Sequence, residues 1–328
     1  MRITTEDWHT AGEPFRIVRD VETRGTTVAE RRVNAMDGPV DELRRFLCLE
    51  PRGHDDMYGG FVTPPDDDGA DLGVLFWHKD GFSTACGHGS MALGAWAVEH
   101  GLVDAPYDGE ATVTIDVPSG RVQATVHREE GRTTSVTFRN VASRMLRFGI
   151  PLETSRGSVT VDLVFAGAVY ATLPASAVGL AVVPEQTSEL IAIGREIKWA
   201  LNEHPDAQLA DARLSGVYGT ILFDDLGDLP TGPHQRNITV FADGEVDRSP
   251  CGSGTATRTT LLHATGRLAA DEVLTHDSII GTRFTARVAA EHEDGSITPE
   301  VTGTPYRVGS STFERDEHDP LNIGFSLR

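Results

Sequence analysis

Two segments of this sequence are built alike. CGHGSMALGAWAVEHG runs from Cys86 to Gly101 and CGSGTATRTTLLHATG from Cys251 to Gly266, a displacement of 165 residues. Each opens with Cys-Gly-x-Gly, follows with a Ser or Thr suited to cap a helix (Ser90, Thr255), and closes on a glycine fifteen positions after the cysteine, where a left-handed helix terminus takes glycine. A glycine-rich turn between strand and helix is common on its own. A shared spacing that includes both helix ends reads instead as an internal repeat, and so as two similar domains facing each other across a cleft. The first helix, SMALGAWAVEH, is apolar on nearly all sides up to its last turn and has to be enclosed. The expected class is α/β (α+β): two pseudo-symmetric domains, each with strands wrapped around a central helix.

The rest of the chain supplies strands. Arg16–Val18, Gly73–Trp77, Ala111–Val117, Val122–Val126, Ser135–Phe138, Val159–Phe165, Tyr170–Leu173 and Asn237–Phe241 are short runs bounded by Gly, Pro and Asp clusters. Helical patterning is confined to Val40–Leu47, Ser90–His100, Thr187–Asn202 and Thr255–Thr265. At 328 residues the chain suits two domains of roughly 150 residues each. RMLRFGIPLETSRGS, at Arg144–Ser158, lacks clear periodicity and is the expected boundary, giving domains over 1–146 and 147–300.

Lys and Arg total 29 against 49 Asp and Glu, a formal charge of −20, which disfavours nucleic acid and anionic membranes as partners. The N-terminus, MRITTEDWHTAGEPF, has no charged lead into an apolar stretch, and no run of about 18 apolar residues occurs; a cytoplasmic protein is expected. Three cysteines make too sparse a set for a disulfide framework. Cys48, in RRFLCLEPRG, reads as a small buried apolar residue. Cys86 and Cys251, set among glycines and polar residues, need a chemical reason.

A cysteine at the mouth of a helix feels the positive end of the helix dipole and the first-turn amides, which makes its thiolate more accessible. Those same amides form an anion site for a carboxylate, and the glycines allow close approach. Two such turns around one cleft fit stereoinversion at a carbon, one thiolate removing a proton from one face while a thiol delivers one to the other. A thiol suits both roles because its ordinary pKa lies near neutrality. His88 and Asp247 flank the cysteines and either tune a thiol, bind a substrate ammonium or simply fix a turn. A zinc site on Cys86, His88 and Cys251 is the rival reading; it lacks a CxxC or HxxxH pair and an evident fourth ligand, so no metal is expected. Walker A, dinucleotide GxGxxG and GxSxG motifs are absent.

DRSPCGSGTATR around Cys251, ACGHGSMALG around Cys86, HTAGEPFRIV at His9–Val18, EPRGHDDMYGG at Glu50–Gly60 and HDSIIGTRF at His276–Phe284 together resemble the proline racemase family. The resemblance implies the fold shared with diaminopimelate epimerase, with the C-terminal segment 301–328 returning to the first domain. It implies Cys86 and Cys251 as the acid/base pair, His88 and Asp247 near the substrate amine, and the turns Gly87-His88-Gly89 and Gly252-Ser253 as the carboxylate cradle. No cofactor is implied, and the partner is a proline-like imino acid, with a homodimer compatible. The family includes 4-hydroxyproline 2-epimerases, trans-3-hydroxyproline dehydratases and proline racemases. ADLGVLFWHKDGFSTACGHGSMALG and GVYGTILFDD look like the dehydratase branch, yet that branch typically has threonine where this chain has Cys251, and Ala85 replaces a frequent methionine. Cys251, together with a CGHG turn that looks more like hydroxyproline epimerases than proline racemases, ranks 4-hydroxyproline 2-epimerase first, dehydratase second and proline racemase third. A non-enzymatic metal- or ligand-binding homologue on the same fold is the alternative of a different class.

Overall fold

The turn-bounded runs of the sequence fold as strands, some alternating in burial, as Gly109–Val117 does over its first half, and others, such as Leu72–His78, buried throughout. The computed structural model describes residues 2–327, and all eight expected runs lie inside strands. Ala111–Val117 and Val122–Val126, for example, fall in Gly109–Val117 and Gly120–Glu129, an antiparallel hairpin whose apolar residues point to one face. The class is mixed α/β, mostly strand, with few helices. Two units are distinguished: residues up to Thr137 together with those from Thr304 onward, and Phe138–Gly303.

In the first unit, Arg2–Thr10 pairs antiparallel with both Glu13–Val18 and Pro305–Glu314. Glu13–Val18 lies parallel to Gly59–Thr63, which pairs antiparallel with Leu72–His78, itself parallel to Gly109–Val117. Three helices accompany them: α1 (Val28–Ala35), α2 (Pro39–Cys48) and α3 (Gly87–Glu99). α1 was not expected, although its signal is in the sequence: Thr27 and Glu30 form a reciprocal capping box. Strands on several sides enclose α3, which is buried from Gly87 through Ala97. Cys48 is fully buried in the apolar cluster beneath α2, and its thiol donates to the Met57 carbonyl.

The second unit begins with the segment that reads as aperiodic. Arg144–Thr154 is a strand, paired antiparallel with Gly157–Phe165, and the chain changes unit between Thr137 and Phe138. Its apolar and polar residues alike are largely exposed, with Ile150 alone buried, so no period of two stands out. Val169–Pro174 runs parallel to Val217–Leu229, which pairs with Gly232–Phe241, parallel in turn to Leu274–Ser278. Arg283–Glu291 and Ile297–Gly303 complete the unit, with α4 (Thr187–Leu201) and α5 (Gly252–Ala264). Among the described residues no helix is long and apolar enough to cross a membrane.

α3 and α5 are thirteen residues each and match in detail. Gly101 and Gly266 are left-handed (φ 65° and 69°), and the amides of Leu102 and Arg267 reach back to the carbonyls of Ala97 and Leu262 at 2.9 and 2.8 Å. This is the same Schellman terminus twice. Their interiors differ. α3 is apolar, whereas α5 buries Thr257, Thr259 and Thr260, whose hydroxyls donate to the carbonyls four residues back at 2.8–2.9 Å. Internal satisfaction of those hydroxyls is what allows so polar a helix to be enclosed.

Gly94, mid-way along α3, lies against Gly120–Glu129: a Cβ there would sit 2.7 Å from the Ala124 Cβ. Gly to Ala inside a helix ordinarily stabilises by about 1 kcal/mol. Overpacking here reverses the sign, and Gly94→Ala should lower stability by about 1–2 kcal/mol in thermal unfolding. A raised Tm would contradict this packing.

Candidate active site

Each cysteine caps its own helix. The sequence points to Ser90 and Thr255 as caps; instead the thiols take that role and α3 and α5 start three residues earlier, at Gly87 and Gly252. The Ser90 hydroxyl donates back to the Cys86 carbonyl at 2.8 Å, and that of Thr255 to the Pro250 carbonyl at 3.1 Å.

In the first unit Cys86 is extended (φ −156°, ψ 106°) and its Sγ accepts the Gly89 amide at 3.3 Å. Only glycine fits at 89: a Cβ would fall 2.8 Å from this sulfur and 2.4 Å from the Phe15 ring. The His88 imidazole lies beside the thiol, Nδ1 3.4 Å from Sγ, and sits edge-on to Phe15 and Tyr58. Burial lowers its pKa to about 3, so the ring is neutral at physiological pH, against the smaller opposing effect of a hydrogen bond to the Pro14 carbonyl. A neutral imidazole that donates from one nitrogen presents the other as an acceptor, and the Cys86 thiol is its neighbour. The Thr10 hydroxyl fixes the turn by donating to the His88 carbonyl at 2.8 Å.

In the second unit Cys251 has a different backbone, φ 62° and ψ 118°, a region that non-glycine residues rarely enter. Its Sγ again accepts the amide three residues on, that of Gly254, at 3.3 Å. Its amide donates to Ser249 Oγ at 3.0 Å, and Ser249 donates to Asp247 Oδ1 through both Oγ (2.6 Å) and N (2.8 Å). Burial and the Asp247 carboxylate, to which the thiol donates, hold the Cys251 thiol well above its ordinary pKa. Burial likewise raises Asp247 to about 6, opposed by its bonds to Ser249 and Cys251. Tyr170 is fully buried with its hydroxyl 2.6 Å from Ser253 Oγ, which lies 3.9 Å from Sγ.

The expected site residues thus fall into two groups: Gly87, His88 and Gly89 with Cys86, and Asp247, Gly252 and Ser253 with Cys251. The amides of Gly87, His88, Gly252 and Ser253 precede the first intrahelical hydrogen bonds of α3 and α5, as helix-terminal donors do. Asp247 both fixes the turn and contacts the thiol. Sequence reasoning missed Tyr170, Asn237 and Thr239, which reach Ser253, Pro250 and Cys251 from other strands. Ser249 was legible in DRSPC as a turn serine.

Residues 6–326 match the family described as Proline racemase. The chain belongs to the proline racemase family. It is 40% identical over 333 residues to the trans-3-hydroxy-L-proline dehydratase of Burkholderia cenocepacia, covering 99% of this chain and 98% of the relative. It is also 40% identical over 339 residues to the 3-hydroxyproline 2-epimerase of Burkholderia multivorans, with the same coverage. Among solved structures it resembles a hydroxyproline epimerase from Agrobacterium vitis with bound trans-4-hydroxy-L-proline, at 28% identity and a TM-score of 0.90 over 99% of this chain and 95% of that one. The family match covers both cysteine turns.

The raised Asp247 has a consequence for stability. Between the ordinary value of 3.8 and about 6, the folded chain holds a proton that the unfolded chain has released. Stability therefore falls as pH rises across that window. Asp247→Asn keeps an acceptor for Ser249 and never ionises, so its Tm advantage over the parent chain should widen from about pH 4 to about pH 7. A pH-independent difference would contradict the buried, raised carboxyl.

Proposed function

We propose that this chain removes the Cα proton of a 3-hydroxyproline and that its main reaction is the dehydration of trans-3-hydroxy-L-proline, with Cys86 as base. The observation that carries the reading is the Cys86 sulfur at the N-terminus of α3, where it accepts the Gly89 amide at 3.3 Å in a setting that favours thiolate, whereas burial and the Asp247 carboxylate keep the Cys251 thiol protonated. The 4-hydroxy isomer, ranked first by the resemblance, is the ligand of the Agrobacterium vitis structure at 28% identity, whereas the two Burkholderia relatives at 40% are named for 3-hydroxyprolines. The substrate preference moves accordingly from ring position 4 to position 3.

Stereochemistry makes one thiol sufficient for elimination. In the trans isomer the carboxylate and the 3-hydroxyl are on opposite ring faces, so the Cα hydrogen and the hydroxyl share one face. The Cys86 thiolate takes the Cα proton. The electron pair of that C–H bond becomes the C2=C3 double bond, the C3–O bond breaks, and the departing hydroxide takes the proton from the new thiol and leaves as water. The thiolate is regenerated, and the cyclic enamine rearranges to the imine by moving its nitrogen proton to C3. First-turn amides holding the carboxylate would stabilise the charge that develops as the proton leaves.

A second reading is 2-epimerisation of the same substrate. It is favoured by Cys251, a titratable thiol kept protonated beside Asp247 and so suited to deliver a proton to a carbanion. That reading requires Cys86 and Cys251 to address one substrate from its two faces.

Incubation with trans-3-hydroxy-L-proline in deuterated water separates the outcomes. The expected product is a cyclic imine trapped by o-aminobenzaldehyde, with Cys86→Ser lowering its formation by roughly 10³-fold. Deuterated cis-3-hydroxy-D-proline without imine would establish the second reading. Inversion of trans-4-hydroxy-L-proline, with both 3-hydroxy isomers untouched, would overturn the choice of substrate.

A further inference from the structure

The Pro250–Cys251 peptide is gripped from both sides. Its carbonyl accepts from Asn237 Nδ2 at 3.0 Å and from Thr255 Oγ1 at 3.1 Å, while its N–H donates to Ser249 Oγ at 3.0 Å. Immediately after this carbonyl the backbone enters the left-handed region at Cys251 (φ 62°), a conformation that a side-chain-bearing residue keeps only where its surroundings impose it. Cys86, at the equivalent place in the other turn, is extended.

We infer that Asn237 is a positioning residue for the second thiol: with Thr255 it holds the Pro250 carbonyl, and so fixes Cys251 in the conformation that aims its sulfur at the Gly254 amide and at Asp247.

The surroundings of Asn237 point the same way. Asn237 and His276 stand on the parallel strands Gly232–Phe241 and Leu274–Ser278, in register as Gln235 with His276 and Asn237 with Ser278, and both are fully buried. Thr255 gives its one hydroxyl proton to Pro250, so at the 2.9 Å contact with His276 Nδ1 the imidazole is the donor and Thr255 the acceptor. His276 is neutral, its pKa lowered by burial. This leaves His276 Nε2 and Asn237 Oδ1 as buried acceptors with no partner among the described residues. Buried orphan acceptors are unfavourable, and apolar side chains of similar size would avoid them. What Asn237 and His276 supply in return is donors: Nδ2 to the Pro250 carbonyl directly, and Nδ1–H to the oxygen that makes the second bond to it.

The inference rests on the proposed function only in taking Cys251 as a residue that meets substrate, and its test needs no substrate. The full chain, Asn237→Ala and Thr255→Val are labelled with iodoacetamide across a range of pH, and the rate at each cysteine is read by peptide mass mapping. Cys251 loses burial and its Asp247 contact once the grip is released, so at pH 8 its labelling should quicken by roughly 5-fold or more in either variant, with its pH midpoint moving down. Cys86 in the same samples should change by less than about 2-fold, which a general loosening of the fold would not allow. An unchanged Cys251 profile in a folded variant, or equal acceleration at Cys86 and Cys251, would overturn the inference. Should Asn237→Ala fail to fold by circular dichroism, Thr255→Val, equal in shape to the original residue, decides it.

Discussion

Both candidate sites depend on one contact, a cysteine sulfur accepting the amide hydrogen three residues along at 3.3 Å. A sulfur placed so caps a helix, which makes that atom part of the helix terminus and not an appendage to it. The turn leaves no room for a side chain at 89 or 254: a Cβ at 254 would lie 2.9 Å from the Cys251 Cβ. It also commits a helix to the interior, because a buried terminus carries its following turns inward with it. Strands pack around both helices, and each ends at its own left-handed glycine.

Within the shared frame the two turns are tuned differently. Cys86 has a neutral imidazole as neighbour and a relaxed backbone; Cys251 has a carboxyl neighbour and a left-handed one. The first-turn amide that each sulfur accepts favours giving up a proton, whereas the carboxylate beside Cys251 and its burial favour keeping it. Such a division suits chemistry that begins at one thiol and uses the other, if at all, as a proton donor. It also gives physical sense to relatives that share this length of chain while their names divide between a dehydratase and an epimerase: elimination on one face and inversion across two differ by a single proton delivery.

Much of this was legible in the sequence, and the reasons are specific. The repeat CGxG…G records helix geometry, so the ends of α3 and α5 at Gly101 and Gly266 and both cysteines could be read directly. Short strands bounded by turn residues were equally legible. Arg144–Thr154 was not, because an exposed strand carries no burial alternation to detect. The caps were misassigned because serine and threonine are the usual capping residues, and a thiol that does the same work has no distinguishing sequence signature. Tyr170, Asn237 and His276 reach the Cys251 turn only through strand pairing and register, which spacing along the chain does not encode. Substrate choice was drawn toward position 4 of the ring by Cys251 and the CGHG turn, whereas the dehydratase-like flanks pointed to the 3-hydroxy relatives.

The proposed division of labour between the thiols is tested most directly by Cys251→Thr supplied with trans-3-hydroxy-L-proline in deuterated water. Threonine keeps a hydroxyl near the Gly254 amide but cannot ionise near neutral pH, so imine formation should persist within roughly 10-fold of the parent rate while no deuterated cis-3-hydroxy-D-proline accumulates. Loss of dehydration in this variant, with the fold intact, would show that the second thiol takes part in the elimination and that Cys86 does not suffice.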